Sequence, residues 1–420
     1  MKKTNRFPIC YWCGIPHKFL HTPDGKIDRS RVEEMKEAGI NLIDSMYSPE
    51  ENKEMLKIAE ELGLDVIVYD SRISDAIKNP DRRRELLFAV AGDYKDYPAL
   101  FSYHIVDEPS SAMFETLADI RKILGEADPE HEAYINLFPN YASPEQLGNA
   151  TYAEHIEEYI KTVNPEIVSY DHYHFIKGEP VPHPEIEDER ERMIFESACS
   201  KVERAGFFDN FEIVREICLK YNVPYMIIVL VVEHGPYRNL TEAEIRWEVF
   251  QSLAYGTERM CYFTYWTPGV DNTDSDSYWH WKNGMISKDG ERTEHYYMIK
   301  EINAELSKMG DALMNKKSIG VFHTNSAPET KTKLFDSFGA VKAIRGDDMT
   351  VGFFEGGYAV FANKSYEKEC SADIFTESMI EIFDTESSEW ITVESVDGKY
   401  SLSLDPGDGL LVHFLEKIKI

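Results

Sequence analysis

Eight short apolar runs alternate with amphipathic stretches over roughly the first 310 residues of this 420-residue chain. The runs are Phe7–Trp12, Ile40–Met46, Asp65–Tyr69, Leu100–Val106, Glu132–Leu137, Ile167–Asp171, Tyr225–Val232 and Arg259–Tyr265. Between them lie stretches of helical period such as ENKEMLKIAEELG and TEAEIRWEVFQSLAYG. Strands that are apolar on both faces need cover on both faces, which is the condition of a parallel sheet sheathed by helices. Eight such strand–helix units predict a (β/α)8 barrel. Local signals agree. Ser48-Pro49-Glu50 opens the second helix and Thr241 with Glu244 reads as a capping box, while Gly39, Gly63 and Gly256 end helices just before strands.

The sixth unit carries a polar, proline-bearing insertion at about 175–207. It follows a strand end, so it is expected over the barrel mouth as a lid or wall. After about residue 313, short β-rich runs such as SIGVFH, MTVGFFE and YAVFANK follow one another without a helical stretch. The expected organisation is therefore a catalytic barrel at 1–312 and a small antiparallel β-sandwich at 313–420 that lends stability rather than chemistry.

A formal net charge of −30 repels nucleic acid and anionic membrane surfaces. No apolar run approaches the ~18 residues of a membrane span, and the N-terminus MKKTNRFPICYWCGIP lacks the apolar core of a signal peptide. Six cysteines, several in strand-like runs, fit a reducing cytoplasm. The expected partner is a small carbohydrate, with no cofactor and no metal; a homo-oligomer is left open.

In such a barrel, chemistry gathers at the C-terminal ends of the strands. Those ends offer Trp12, Asp44, Tyr69, Asp70, Asp107, Glu108, Asn136, Asp171, His172, Tyr173, Glu233, His234, Tyr265 and Trp266. Pro109 halts strand four directly after its two carboxylates. Glu108 and Glu233 end strands four and seven, nearly opposite each other. Glycosidic hydrolysis needs two carboxyl groups, one protonated and one ionised, and Asp107 beside Glu108 would keep the latter protonated. Trp12, Trp266, Trp279 and Trp281 fall on strands one and eight or just after them. Barrel closure makes those strands neighbours, giving an aromatic arc suited to stacking on sugar rings.

The chain resembles the clan of (β/α)8-barrel glycoside hydrolases, closest to β-galactosidase-like families with a C-terminal β-sandwich. The resemblance rests on Tyr103-His-Ile-Val-Asp107-Glu108-Pro109, Tyr170-Asp-His-Tyr173, Leu253-Ala-Tyr-Gly256 leading to Tyr262-Phe-Thr-Tyr-Trp266, Asn283 to Gly290, and Leu404 to Gly409. It implies Glu108 as acid/base, Glu233 as the nucleophile of a retaining reaction, and Trp266 as the floor beneath the sugar. Asp107 stands where the clan usually has asparagine.

Two other function classes stay open on the residues. Asp44, Asp70, Glu108, Asp171, His172 and Glu233 could hold a divalent metal, as in a barrel sugar isomerase. A hydrolase scaffold could also bind carbohydrate without turnover. Cys10 and Cys13 have CxxC spacing but face opposite ways on an extended strand. Asp271 to Asp276 looks like half a calcium loop and lacks its glycine and distant glutamate.

Overall fold

The computed structural model describes residues 6–178, 202–396 and 398–415. Its first part is a (β/α)8 barrel. The strands are β1 (Ile9–Trp12), β2 (Leu42–Ser45), β3 (Asp65–Tyr69), β4 (Leu100–Asp107), β5 (Glu132–Leu137) and β6 (Val168–Asp171). A two-residue ribbon of β7 (Phe175–Ile176) and β8 (Val202–Glu203) follows, then β9 (Tyr225–Leu230) and β10 (Met260–Phe263). The sheet order is β1-β10-β9-β6-β5-β4-β3-β2, with each hydrogen-bonded pair parallel. The seam between β1 and β2 is joined by Asn41, whose N–H donates to the Ile9 carbonyl and whose Oδ1 accepts from the Ile9 N–H.

Inward-facing residues fill the barrel with side chains. Cys10, Leu42, Ile67, Phe101, Tyr134, Ile167, Met226, Ile228 and Cys261 form one buried cluster, with Trp12 and Phe263 above it. The outward faces join the helices in a larger core. The helix Pro49–Leu62 starts at a Ser48–Glu51 capping box and ends at left-handed Gly63; Glu242–Tyr255 starts at a Thr241–Glu244 box and ends at left-handed Gly256. Strand seven is shorter than its apolar run. Val231 and Val232 both donate to the Phe263 carbonyl, so the pleat breaks there and Glu233 is carried into a backbone bridge with Lys282. Of the insertion at 175–207, residues 179–201 lie outside the described residues.

The helix Glu294–Leu313 leads into nine antiparallel strands. They are β11 (Ser318–His323), β12 (Val341–Gly346), β13 (Met349–Phe354), β14 (Tyr358–Asn363), β15 (Cys370–Thr376), β16 (Met379–Asp384), β17 (Glu389–Val393), β18 (Lys399–Leu404) and β19 (Gly409–Leu415). Six form one sheet, β11-β13-β14-β19-β16-β17, and three form another, β12-β15-β18. A separate apolar core holds them together. The helix Glu242–Tyr255 docks on the larger sheet: Trp247 Nε1 donates to the Lys364 carbonyl and Gln251 Nε2 to that of Asn363. Contact is closest at Gly352, where a Cβ would stand 1.7 Å from the Ala254 carbonyl oxygen. Gly352→Ala should therefore cost at least about 1–3 kcal/mol in urea unfolding; an unchanged midpoint would refute this docking. No described helix is long and apolar enough to cross a membrane.

Candidate active site

Strand register assembles a cluster of acids at the C-terminal rim. Asp107 lies beside Asn136 on β5, and Asn136 lies beside Ser169 on β6, two residues before Asp171. The Asn136 amide joins them. Its Nδ2 donates to Asp107 Oδ1 at 3.0 Å and to Asp171 Oδ1 at 3.2 Å, while its Oδ1 accepts from Ser169 Oγ at 2.9 Å. Each amide atom thus has a partner that suits it, which fixes the orientation of the group.

Glu108 is the next residue after β4 and takes a left-handed backbone, φ 44°. For a non-glycine residue this is costly, and such positions concentrate where side-chain direction matters to function. The Glu108 N–H donates to the Asn136 carbonyl at 2.8 Å, which anchors the turn. Burial, and then the neighbouring Asp107 charge, push the Glu108 carboxyl up to about 7. Asp171 is driven well above the carboxylate range, first by burial and then by Glu108 and Asp107. Asp107 is also raised, by desolvation first, although its side chain is exposed at the rim. Neighbouring like charges disfavour ionising all three carboxyls at once.

These acids line a cavity of about 190 Å³ with Trp12, Asn136, Tyr173, Ile228 and Phe263. Its walls are aromatic: Trp12 lies edge-on to His104, and Tyr173 stacks on Phe263 with ring centres 5.3 Å apart. A second cavity, about 250 Å³, opens beside it over the ends of β1 and β2 and is lined by Asp44, Tyr47, Trp266 and Asp271 among others. Asp44 is 5% exposed and neither of its oxygens accepts a hydrogen bond. His104 Nδ1 lies 3.6 Å from it.

The other expected residues lie elsewhere. Tyr69 bonds to Ser74, and Asp70 caps the helix Ser71–Lys78 while pairing with Arg72 and accepting from Tyr94. His172 is buried against Asn210, Tyr141 and Phe207, and burial takes its pKa down to about 3. Tyr265 is buried against Tyr11. Glu233 is not among the residues lining the Glu108 cavity; it pairs with Lys177 Nζ at 3.1 Å. The six residues considered for an isomerase-type metal are thus dispersed rather than gathered into one ligand set. Cys10 sits in the barrel interior and Cys13 on the wall of the second cavity, both as free thiols.

The aromatic arc divides into separate clusters. Trp281 stacks on His234 at 4.2 Å, with Trp279 beside it, behind Phe263. Trp266 is 1% exposed, packed on Phe19 and under the Arg31 guanidinium. Its removal would leave a large void, so Trp266→Ala should cost about 3–5 kcal/mol of stability. A fall in sugar affinity at unchanged thermal stability would contradict that packing role. Sequence reading missed His104, Ile228 and Phe263. His104 had a signal, a polar residue inside an apolar run. The other two looked like ordinary core.

No protein-family model matches the chain, and no curated protein matches it in sequence. Among solved structures it is similar to a glycoside hydrolase at TM-score 0.55 and 11% identity, over 94% of this chain and 91% of that one. It is similar to a family 5 glycoside hydrolase from Bacteroides vulgatus at TM-score 0.55 and 12% identity, over 94% of this chain and 89% of that one. A β-galactosidase from the psychrophilic Marinomonas ef1 gives TM-score 0.49 and 12% identity; 73% of this chain is covered, and it spans 60% of that enzyme's length. At these identities the likeness is one of fold: a (β/α)8 barrel followed by antiparallel sheets.

Proposed function

We propose that this chain is a glycoside hydrolase acting on a small glycoside or oligosaccharide, with Glu108 as its general acid. The observation that carries the reading is a glutamic acid held near pKa 7 at a strand-four rim, inside a cavity with aromatic walls and further carboxyls. A protonated carboxyl of that strength can donate to a departing glycosidic oxygen at neutral pH. Trp12, Tyr173 and Phe263 offer the apolar faces a sugar ring packs against. The partner carboxyl in this reading is Asp171, which shares the cavity and is coupled electrostatically to Glu108. For that role Asp171 must ionise while Glu108 keeps the proton; acting then as base on a water molecule, it would give a product of inverted configuration.

One observation favours Glu233 instead. Its carboxylate pairs with Lys177 Nζ at 3.1 Å, and a Glu233 nucleophile would give retention. A panel of nitrophenyl glycosides, with NMR of the first-formed anomer, tests both the activity and the choice of partner. No turnover on any glycoside, together with unimpaired sugar binding, would replace the enzyme reading with that of a carbohydrate-binding protein.

A further inference from the structure

A second constellation lies at the edge of the mouth and takes no part in the reading above. The sequence His17-Lys-Phe-Leu-His21 forms a single helical turn, His17–Leu20, followed by its C-cap. Residues four apart on such a turn share a face. Both imidazoles point at Glu51, on the first turn of the helix Pro49–Leu62. His21 Nε2 is 3.0 Å from Glu51 Oε1, and His17 Nε2 is 3.7 Å from Glu51 Oε2. Among the described residues, these three are the one group of His, Cys, Asp and Glu whose ligand atoms all lie within 4.8 Å of one another.

We propose that His17, His21 and Glu51 bind one divalent transition-metal ion of the zinc type. Two imidazole nitrogens and a carboxylate oxygen suit zinc and its neighbours better than magnesium or calcium, which favour all-oxygen sites. Tetrahedral zinc with bonds of about 2.0–2.1 Å sets its ligand atoms about 3.3 Å apart. The two histidine–glutamate separations, each to a different oxygen of Glu51, bracket that value. All three ligand atoms lie within 4.8 Å of one another, and the His17 side chain is 62% exposed and can swing inward.

The surrounding backbone is already in place. The His17 N–H donates to Asp271 Oδ2 at 3.0 Å, and His21 bridges to Ile27. Glu51 is oriented by its capping box, where Oε2 accepts from the Ser48 N–H at 2.9 Å. Little backbone freedom is then lost on binding, which favours affinity. His17 also forms part of the wall of the second cavity. The ion therefore ties the loop after β1 to the helix after β2 and holds that wall in place.

The test uses the whole chain, stripped with chelator and titrated with ZnCl₂ at pH 7.5 by calorimetry and thermal unfolding. The expected result is one ion per chain at micromolar or tighter affinity, a raised Tm, and no response to MgCl₂. At pH 5.5, where imidazoles protonate, binding should weaken strongly. Glu51→Gln retains an N3 side chain that can complete the capping box but loses the charged ligand oxygen, and should weaken binding by at least the roughly 10–100-fold that loss of an outer-shell partner costs. His17→Gln combined with His21→Gln should abolish it. His17→Gln alone alters an exposed group and reports on binding should the double variant fold poorly. Failure to saturate with ZnCl₂, or unchanged affinity in these variants, would overturn the site. The outcome is independent of glycosidase activity, since binding and unfolding are read without substrate.

Discussion

Glu108→Gln should reduce turnover of a glycoside with a poor leaving group by about 10²–10⁴-fold, the usual worth of a general acid. The amide keeps the size of the side chain and its place in the turn but cannot release a proton to the leaving oxygen. A nitrophenolate leaving group needs little protonation, so the loss should be much smaller on an activated substrate. The pH profile adds a second readout. Burial, then Asp107, raises the Glu108 carboxyl to about 7, so wild-type activity should fall as pH rises through about 7 and the acid ionises. That limb should vanish in the variant. Wild-type stability should fall over the same range. The folded-state pKa lies above the unfolded value of about 4.3, so this group's contribution is fully present below about pH 4.3 and is lost as pH rises through 7. Glu108→Gln should then gain thermal stability relative to wild type at pH 8 and gain less at pH 5. Near wild-type turnover on a poor leaving group, with the alkaline limb intact, would remove Glu108 from the mechanism.

Asp171→Asn should impair hydrolysis by a comparable factor, whereas Glu233→Gln should have a much smaller effect. Asp171 lies in the Glu108 cavity, 6% exposed, and shares the Asn136 amide with Asp107. An asparagine there still offers an oxygen to Asn136 Nδ2 but cannot accept a proton from water. Wild-type enzyme should release the inverted anomer first. The reverse pattern is equally clear. Retention of configuration, an inactive Glu233→Ala, and recovery with azide to give a glycosyl azide would make Glu233 the nucleophile and displace Asp171.

Much of the barrel was legible because its signals are local. Apolar runs of strand length, capping boxes at Ser48 and Thr241, and glycines at 63 and 256 each act within a few residues, and each reappears in the structure. The acid at β4 was legible for a similar reason: Pro109 marks where the strand must end. Strand seven shows the limit. Its apolar run continues to Val232, but two N–H groups share the Phe263 carbonyl, and this long-range contact takes Glu233 out of the strand. The tryptophans show it too. Their spacing placed Trp266 at the mouth beside Trp12, yet Phe19 and Arg31, distant in sequence, cover its faces.

The sequence by itself determined the alternation of strands and helices, hence the barrel, the later antiparallel sheets, and the rim on which polar side chains would stand. Periodicity and capping belong to neighbouring residues, and a chain carries that information without being folded. Tertiary structure alone decided which rim residues meet. Asp107, Asn136 and Asp171 become neighbours through parallel register between β4, β5 and β6. His17 and His21 meet Glu51 because the loop after β1 folds onto the helix after β2. The raised pKa of Glu108 likewise arises from lost water and the charge of Asp107. Burial of that kind is a property of the closed barrel mouth, and it exists only once distant segments have packed together.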